Sequence, residues 1–206
     1  LAENAQLKQQ LAQMQDAVRV AASLEREIQR PKALLKLKET REDYELVDSN
    51  IISWDPNDWS SAFTVDRGTN AGIQVGQCVI TANRQVVGLV TEVGVNYAVV
   101  KTVLDSSLEI SATVSSSGYS GMVRGGYITG EVGMLRMEYL PTDSIIRNGD
   151  QVTTSGSTVY PRGLILGHVV DAGFDDIGVA KFAVLRPAAD FDSMEQVFIL
   201  TSYNNG

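Results

Sequence analysis

The sequence predicts a mainly β protein preceded by a helical segment, on three observations. All 18 glycines lie at or after Gly68, whereas the first 45 residues contain none and only one proline. From Leu46 onward apolar residues alternate or form short runs bounded by Gly, Pro, Asn and Asp, the punctuation of strands. One β unit also echoes another. Gly76-Gln-Cys-Val-Ile-Thr81 and Val87-Gly-Leu-Val-Thr-Glu-Val93 are answered by Gly149-Asp-Gln-Val-Thr-Thr-Ser-Gly156 and Leu164-Ile-Leu-Gly-His-Val-Val170. The segments after each copy rhyme too: Val103-Leu104 leads to Leu108-Glu109, and Val184-Leu185 to Met194-Glu195, each ending in a β-branched strand. Two related β units of barrel or sandwich type fit this pattern. Two unrelated hairpins also fit it, since the spacings differ between copies.

The amino-terminal segment is rich in Ala, Leu, Gln, Glu, Lys and Arg, all good helix formers. Every seventh residue from Leu7 is apolar: Leu7, Met14, Ala21, Ile28 and Leu35, a run suited to the d positions of a coiled coil. The a positions are Asn4, Leu11, Val18, Glu25 and Lys32, apolar in the middle and polar at both ends. This seam is expected to zip two parallel helices, because its stripe is narrow for docking on a globular core. A single amphipathic helix laid on its own domain is the alternative. Pro31 is expected to kink or break the helix, with Lys32 to Glu42 as a short second one. About 30 helical residues make a stalk of roughly 45 Å.

In the remainder, Val47 to Trp54 reads as a strand stopped by the turn Asp55-Pro-Asn-Asp58. Trp54 and Trp59 flank that turn, where they either bind a partner or pack across the hairpin. Ala62 to Asp66 alternates, and Gly68 and Gly72 then read as positive-φ positions of a long turn. Strands succeed one another at short spacing from Ile73 to Val103 and from Ile110 to Val114. Gly121 to Gly126 and Gly130 to Gly133 read as turn-rich, and Asp171 to Gly178 as a hairpin loop. Gln196 to Thr201 is the last strand. The domains expected are 1–45, 46–120 and 121–206, with the last strand free to cross back to the first β domain.

Composition narrows the function. The formal charge is −8, and the first 45 residues hold eight basic and eight acidic groups, so the excess acid lies in the β region. An acidic body with scattered Arg is a poor phosphate grip, which argues against nucleic acid. Cys78 is the one cysteine, so no internal disulfide forms, and its apolar run reads as core. The chain begins at Leu1, so a longer protein is expected, with any membrane anchor outside these residues; no run approaches the ~18 apolar residues of a span. No ligand cluster suggests a metal, and no cofactor loop is present. Ser155 and the single imidazole, His168, suggest a serine hydrolase, yet both fall in one unit and nothing recommends Lys101 or Lys181 as a partner base. A membrane-fusion adaptor is a third reading, but it needs two antiparallel helical arms where this chain has one helix.

Taken in order, these residues resemble the extracytoplasmic region of the MreC family, rod-shape-determining scaffolds of bacteria. The resemblance rests on Leu34-Leu-Lys-Leu-Lys38, on Asp55, Pro56 and Trp59, and on Phe63-Thr-Val-Asp-Arg-Gly68 with Gly72 and Gly76. It continues through Gly88-Leu-Val, Gly149 and Asp150, Thr154, Ser155 and Gly156, Tyr160 to Gly163 with Pro161, and Gly167-His-Val. The chain departs from the family pattern where Asn83-Arg-Gln-Val-Val87 replaces a Gly-Gly lead into Gly88, and where Trp54 precedes Asp55.

The resemblance implies one transmembrane helix ahead of a dimerising coiled coil. It implies two small β-barrels, six-stranded in type, arranged like those of chymotrypsin-type proteases without their catalysis. It also implies a homodimer, able to extend into filaments, at the extracytoplasmic face of the bacterial cytoplasmic membrane. The implied role is to activate a class B penicillin-binding protein within a complex including MreB, MreD and RodA. An exposed apolar patch would carry such binding; the segment offering one is Tyr127, Ile128, Met134, Met137 and Tyr139, and the alternative, the better reading for any one of these residues, is that alternate side chains fill the second barrel.

Overall fold

The computed structural model describes residues 10, 11, 13–25, 28, 31, 32, 35, 44–55, 61–129, 132–175, 178 and 180–203, without the side chains of 127–129 and 132. The chain divides into two compact units, Leu1–Thr40 and Arg41–Gly206. All described residues between 10 and 35 are helical, Pro31 included. Leu7 of the seam lies outside the described residues, as do Pro56 and Trp59 of the turn.

Among the described residues the second unit holds twelve strands: β1 (Glu45–Trp54), β2 (Ala62–Val65), β3 (Cys78–Ile80), β4 (Val86–Val93), β5 (Ala98–Thr102), β6 (Glu109–Val114), β7 (Ser120–Thr129), β8 (Val132–Leu140), β9 (Gln151–Thr154), β10 (Ile165–Phe174), β11 (Lys181–Pro187) and β12 (Gln196–Ser202). They close into two six-stranded barrels, β1-β12-β3-β4-β5-β2 and β7-β6-β9-β10-β11-β8. Alternation drives each: β2 and β5 bury every second residue, as does most of β6. The inward set fills the interior, with Phe63, Val65, Val100 and Ile199 in barrel one and Ala112, Val152, Leu166 and Leu185 in barrel two.

The two barrels share one neighbour order, with β1 to β5 standing where β7 to β11 stand. The repeat extends to detail. Gly76 and Gly149 both have φ of 90°, and their N–H groups donate to Val90 O and Val169 O at 2.8 and 2.7 Å. Gly88 and Gly167 permit close approach, since a Cβ would stand 1.9 Å from Lys101 O and 2.3 Å from Arg186 O. The sixth strands are exchanged. β6 comes after barrel one in sequence but belongs to barrel two, and β12 comes after barrel two but closes barrel one against β1 and β3.

Several expectations change. A division after residue 120 cuts barrel two, because β6 pairs with β7 and β9 on its far side. Gly121 and Gly125 lie inside β7 rather than in turns; a Cβ there would meet Glu138 O at 2.4 Å and Val103 O at 2.3 Å. β10 runs on to Phe174, so Asp171 to Phe174 is strand paired with β11. Gly72 has the expected positive φ of 81°, but Gly68 has φ −145°, and what requires glycine there is Gly94 O, which a Cβ would approach to 2.2 Å.

Candidate functional site

The stretch Thr154 to Gly163, prominent in the sequence, lies at the joint between the barrels. Gly149 and Asp150 make the turn into β9, with Asp150 Oδ2 accepting from Arg147 N at 2.8 Å. Buried Thr154 accepts from Leu164 N at 2.9 Å and donates to Pro161 O at 2.5 Å, so one hydroxyl ties both ends of the loop. Ser157 Oγ accepts from Tyr160 N at 3.0 Å, and Gly163 N donates to Thr154 O at 2.9 Å. Gly156 and Gly163 take φ of 99° and 86°, turns a side chain would strain. Tyr160 is thereby buried at 7% exposure, and burial pushes its phenol pKa up. Burial likewise raises the Cys78 thiol, which is core rather than a reactive group.

This braced loop meets barrel one. Ile165 N donates to Arg84 O at 2.9 Å, and Gln85 bridges Ile165. Arg84 Nη2 donates to Gly163 O at 3.3 Å. Arg84 holds φ 61°, in the left-handed region that favours glycine. A non-glycine there costs about 1 kcal/mol or more, and the guanidinium contact to barrel two offsets it. On the other side of the loop, Tyr203 donates its hydroxyl to Ser157 O at 2.8 Å. Neither Arg84 nor Tyr203 is legible as a joint residue from sequence.

The candidate catalytic groups are not brought together. Ser155 Oγ shares a hydrogen bond with Thr113 Oγ1 at 2.7 Å. His168 is exposed on β10 opposite Gln151 and Arg186. Ser155 lies four residues beyond Gln151, roughly 13 Å along an extended chain. Lys101 Nζ donates to Ser107 Oγ at 3.0 Å, and Lys181 Nζ donates to Ser144 O. Among the described residues no three His, Cys, Asp or Glu side chains cluster as metal ligands.

The expected partner segment divides. Met134 and Met137 are buried in barrel two at 7% and 0% exposure, so they are core and not surface. Met137 enters the barrel with Leu135, whereas Met134, three residues earlier on the same strand, is covered on the outer face of β8. Tyr139 is 74% exposed with φ 62°, and the side chains of Tyr127 and Ile128 lie outside the described residues. Beside Tyr139, Arg136 stacks over Phe182 at 4.0 Å and Phe174 is half exposed. Sequence reading misses Phe174, whose exposure depends on β10 running past Gly173.

On the helix the seam side chains are open. Leu11, Met14, Val18, Ile28 and Leu35 are 54–70% exposed, and Ala21 is exposed. Val20 and Leu24, outside the a and d positions, are about half exposed as well. No helix among the described residues is long and apolar enough to cross a membrane.

Comparison with known proteins gives one consistent result. Residues 51–201 match the family described as rod shape-determining protein MreC, barrel core. The cell shape-determining protein MreC of Listeria monocytogenes is 26% identical over 96% of this chain and 68% of its own length. That of Bacillus subtilis is 26% identical over 77% of the chain, which spans 57% of that relative. A solved MreC structure from Listeria monocytogenes superposes with TM-score 0.71 at 26% identity, covering 93% of this chain and 95% of that one. A solved complex of PBP2 with MreC from Helicobacter pylori contains a chain similar in fold, with TM-score 0.56 at 16% identity, covering 76% of this chain and 99% of that one.

Proposed function

The chain belongs to the MreC family of rod shape-determining proteins, and on that premise we propose that it is a non-catalytic scaffold of the bacterial cell-elongation machinery. Two copies pair through the helical seam as a parallel coiled coil and hold their barrels out to bind and activate peptidoglycan synthases. The observation that carries this reading is the open seam: apolar side chains at a and d positions stand more than half exposed on a single chain. Such a stripe gains from a second helix that covers it.

The Helicobacter pylori relative solved with PBP2 supports a class B penicillin-binding protein as the partner. Tyr139 and its neighbours Phe174 and Phe182 are the docking face we favour, since exposed aromatics anchor interfaces. Assembly with MreB, MreD and RodA, further association into filaments, and a place at the extracytoplasmic face of the cytoplasmic membrane belong to the same reading. So does a likeness of the paired barrels to chymotrypsin-type proteases without their chemistry.

Two measurements test it. Sedimentation of the chain with and without residues 1–40 is expected to show a dimer that becomes a monomer on truncation. The Tyr139→Ala variant is expected to lose binding to the soluble part of a class B penicillin-binding protein while keeping its thermal midpoint. Full binding by that variant would refute the docking face, and a monomer at every concentration would refute the stalk.

A further inference from the structure

Barrel one is closed, yet one of its seams is short. β3 pairs with β12 only through Ile80 opposite Phe198 and Val79 opposite Ile199. Continuing that antiparallel register would set Cys78 opposite Leu200, Gln77 opposite Thr201 and Gly76 opposite Ser202. Those six residues instead line a cleft of about 480 Å³. The stretch leading into β3 is held to β4, with Gly76 N donating to Val90 O at 2.8 Å and Val90 N to Gln77 O at 2.9 Å. On its outer side β12 stays paired with β1, Leu200 opposite Leu46 and Ser202 opposite Glu45, with a bulge at Thr201 between the two pairs. Past Ile199, β12 therefore has a strand neighbour on one edge only among the described residues.

A strand edge of this kind presents alternating N–H and C=O groups to any extended chain that reaches it. The far wall of the cleft is furnished by barrel two, through Thr158 and Val159 of the braced loop. That loop is held in place by the Tyr203 hydroxyl on Ser157 O and by Ser157 Oγ inside its own turn. The cleft is thus a preformed slot, with a half-paired strand on one side and a fixed loop on the other.

Its lining selects the occupant. Among the described residues no carboxylate, ammonium, guanidinium or imidazole lines it; its polar side chains are the hydroxyls of Thr158, Thr201, Ser202 and Tyr203 and the amide of Gln77. A charged ligand would shed water there with no counter-charge in return. An uncharged extended polypeptide would recover backbone hydrogen bonds from the strand edge. We propose that the split β3–β12 seam is a strand-addition site for an extended, uncharged segment of a partner polypeptide, paired with Leu200–Ser202 beneath Thr158 and Val159. Main-chain bonds supply affinity in such sites, and the flanking walls supply selectivity. Three residues of edge span about 10 Å, so the site accepts a short segment and holds it modestly. It is distinct from the helical seam and from Tyr139, and it stands or falls without the scaffold reading.

The test uses the whole 206-residue chain, isotope-labelled for NMR, and a capped peptide copying Gly76–Ala82 with Cys78→Ala. β3 already pairs with β12, so this uncharged copy carries an alternation the edge accepts. The peptide is expected to shift the amides of Leu200–Ser202 and of Thr158 and Val159, and to slow their hydrogen exchange. The same peptide N-methylated at alternate residues cannot complete a ladder and is expected to shift none of them. Thr158 is exposed, so Thr158→Trp is expected to keep the thermal midpoint while weakening binding at least tenfold. No shift with either peptide, equal shifts with both, shifts confined to other residues, or undiminished binding by Thr158→Trp would each overturn the proposal.

Discussion

Val18→Glu puts the paired-helix reading at greatest risk. Val18 sits at an a position and is 70% exposed on one chain. Covering it against a second helix stabilises by roughly 1–2 kcal/mol. Both copies lose that burial in the variant, so the dimer weakens by roughly 2–4 kcal/mol, about 30- to 1000-fold in Kd. Two carboxylates facing each other across the seam add repulsion to this loss. Glu is a better helix former than Val, so the helix itself should survive and circular dichroism should be unchanged. Ser23→Glu makes the same charge change five residues on, at an outward f position where Ser23 Oγ only donates to Val20 O. Sedimentation equilibrium over a concentration series is expected to show monomer for Val18→Glu and dimer for Ser23→Glu. If the two variants associate alike, the a and d seam is not the interface.

The barrels supply three more tests. Ile199→Ala removes a side chain 0% exposed inside barrel one and is expected to cost about 2–5 kcal/mol; hydrogen exchange should quicken in β1–β5 while β6–β11 keep their protection, and the opposite pattern would contradict the exchanged closing strand. Gly88→Ala and Gly167→Ala each drive a methyl against a backbone carbonyl, Lys101 O or Arg186 O, and are expected to lower the urea midpoint by about 1–3 kcal/mol of stability. Burial works to raise the Asp66 carboxyl, but bonds from the Asn50 side chain and backbone, both 2.8 Å, and nearby Arg67 outweigh it and hold the pKa below its ordinary 3.8. The stability this gives is therefore present above the unfolded value and lost as pH falls through the lower folded one. Asp66→Asn should flatten that part of an acid titration of unfolding, and an unchanged acid limb would count against the Asn50 pairing.

Local chemistry is what the sequence makes legible. The glycine-free, heptad-patterned start reads as helix because periodicity is a property of the segment itself. The echo of Gly76 in Gly149 reads as a repeat because each glycine makes the same turn and the same bond to the next strand. Pairing across long separations leaves no such trace. Val197 to Leu200 look the same in sequence whichever barrel they close, and a boundary after residue 120 puts β6 in the wrong barrel for that reason. Met134 and Met137 stay open between surface and core in the sequence because apolar residues in a glycine-rich stretch look surplus; which face of β8 each takes is fixed by the register with β7 and β11. The joint is half visible. Its turn residues, Thr154 to Gly163, are prominent, but Arg84 and Tyr203 reach it from the other barrel and carry no local signal.

Making the protein runs against the order in which its barrels can finish. Everything barrel two requires lies between Glu109 and Pro187, so it can complete itself while the ribosome is still at work. Barrel one has five strands in hand early and then waits through residues 103–195, roughly 5–20 s at ordinary translation speeds. Through that interval it is an unfinished sheet with β1 and β3 bare along their lengths, open to the last strand of a neighbouring copy. A chain stopped before Gln196 would leave a sound second barrel tethered to a first one that never shuts.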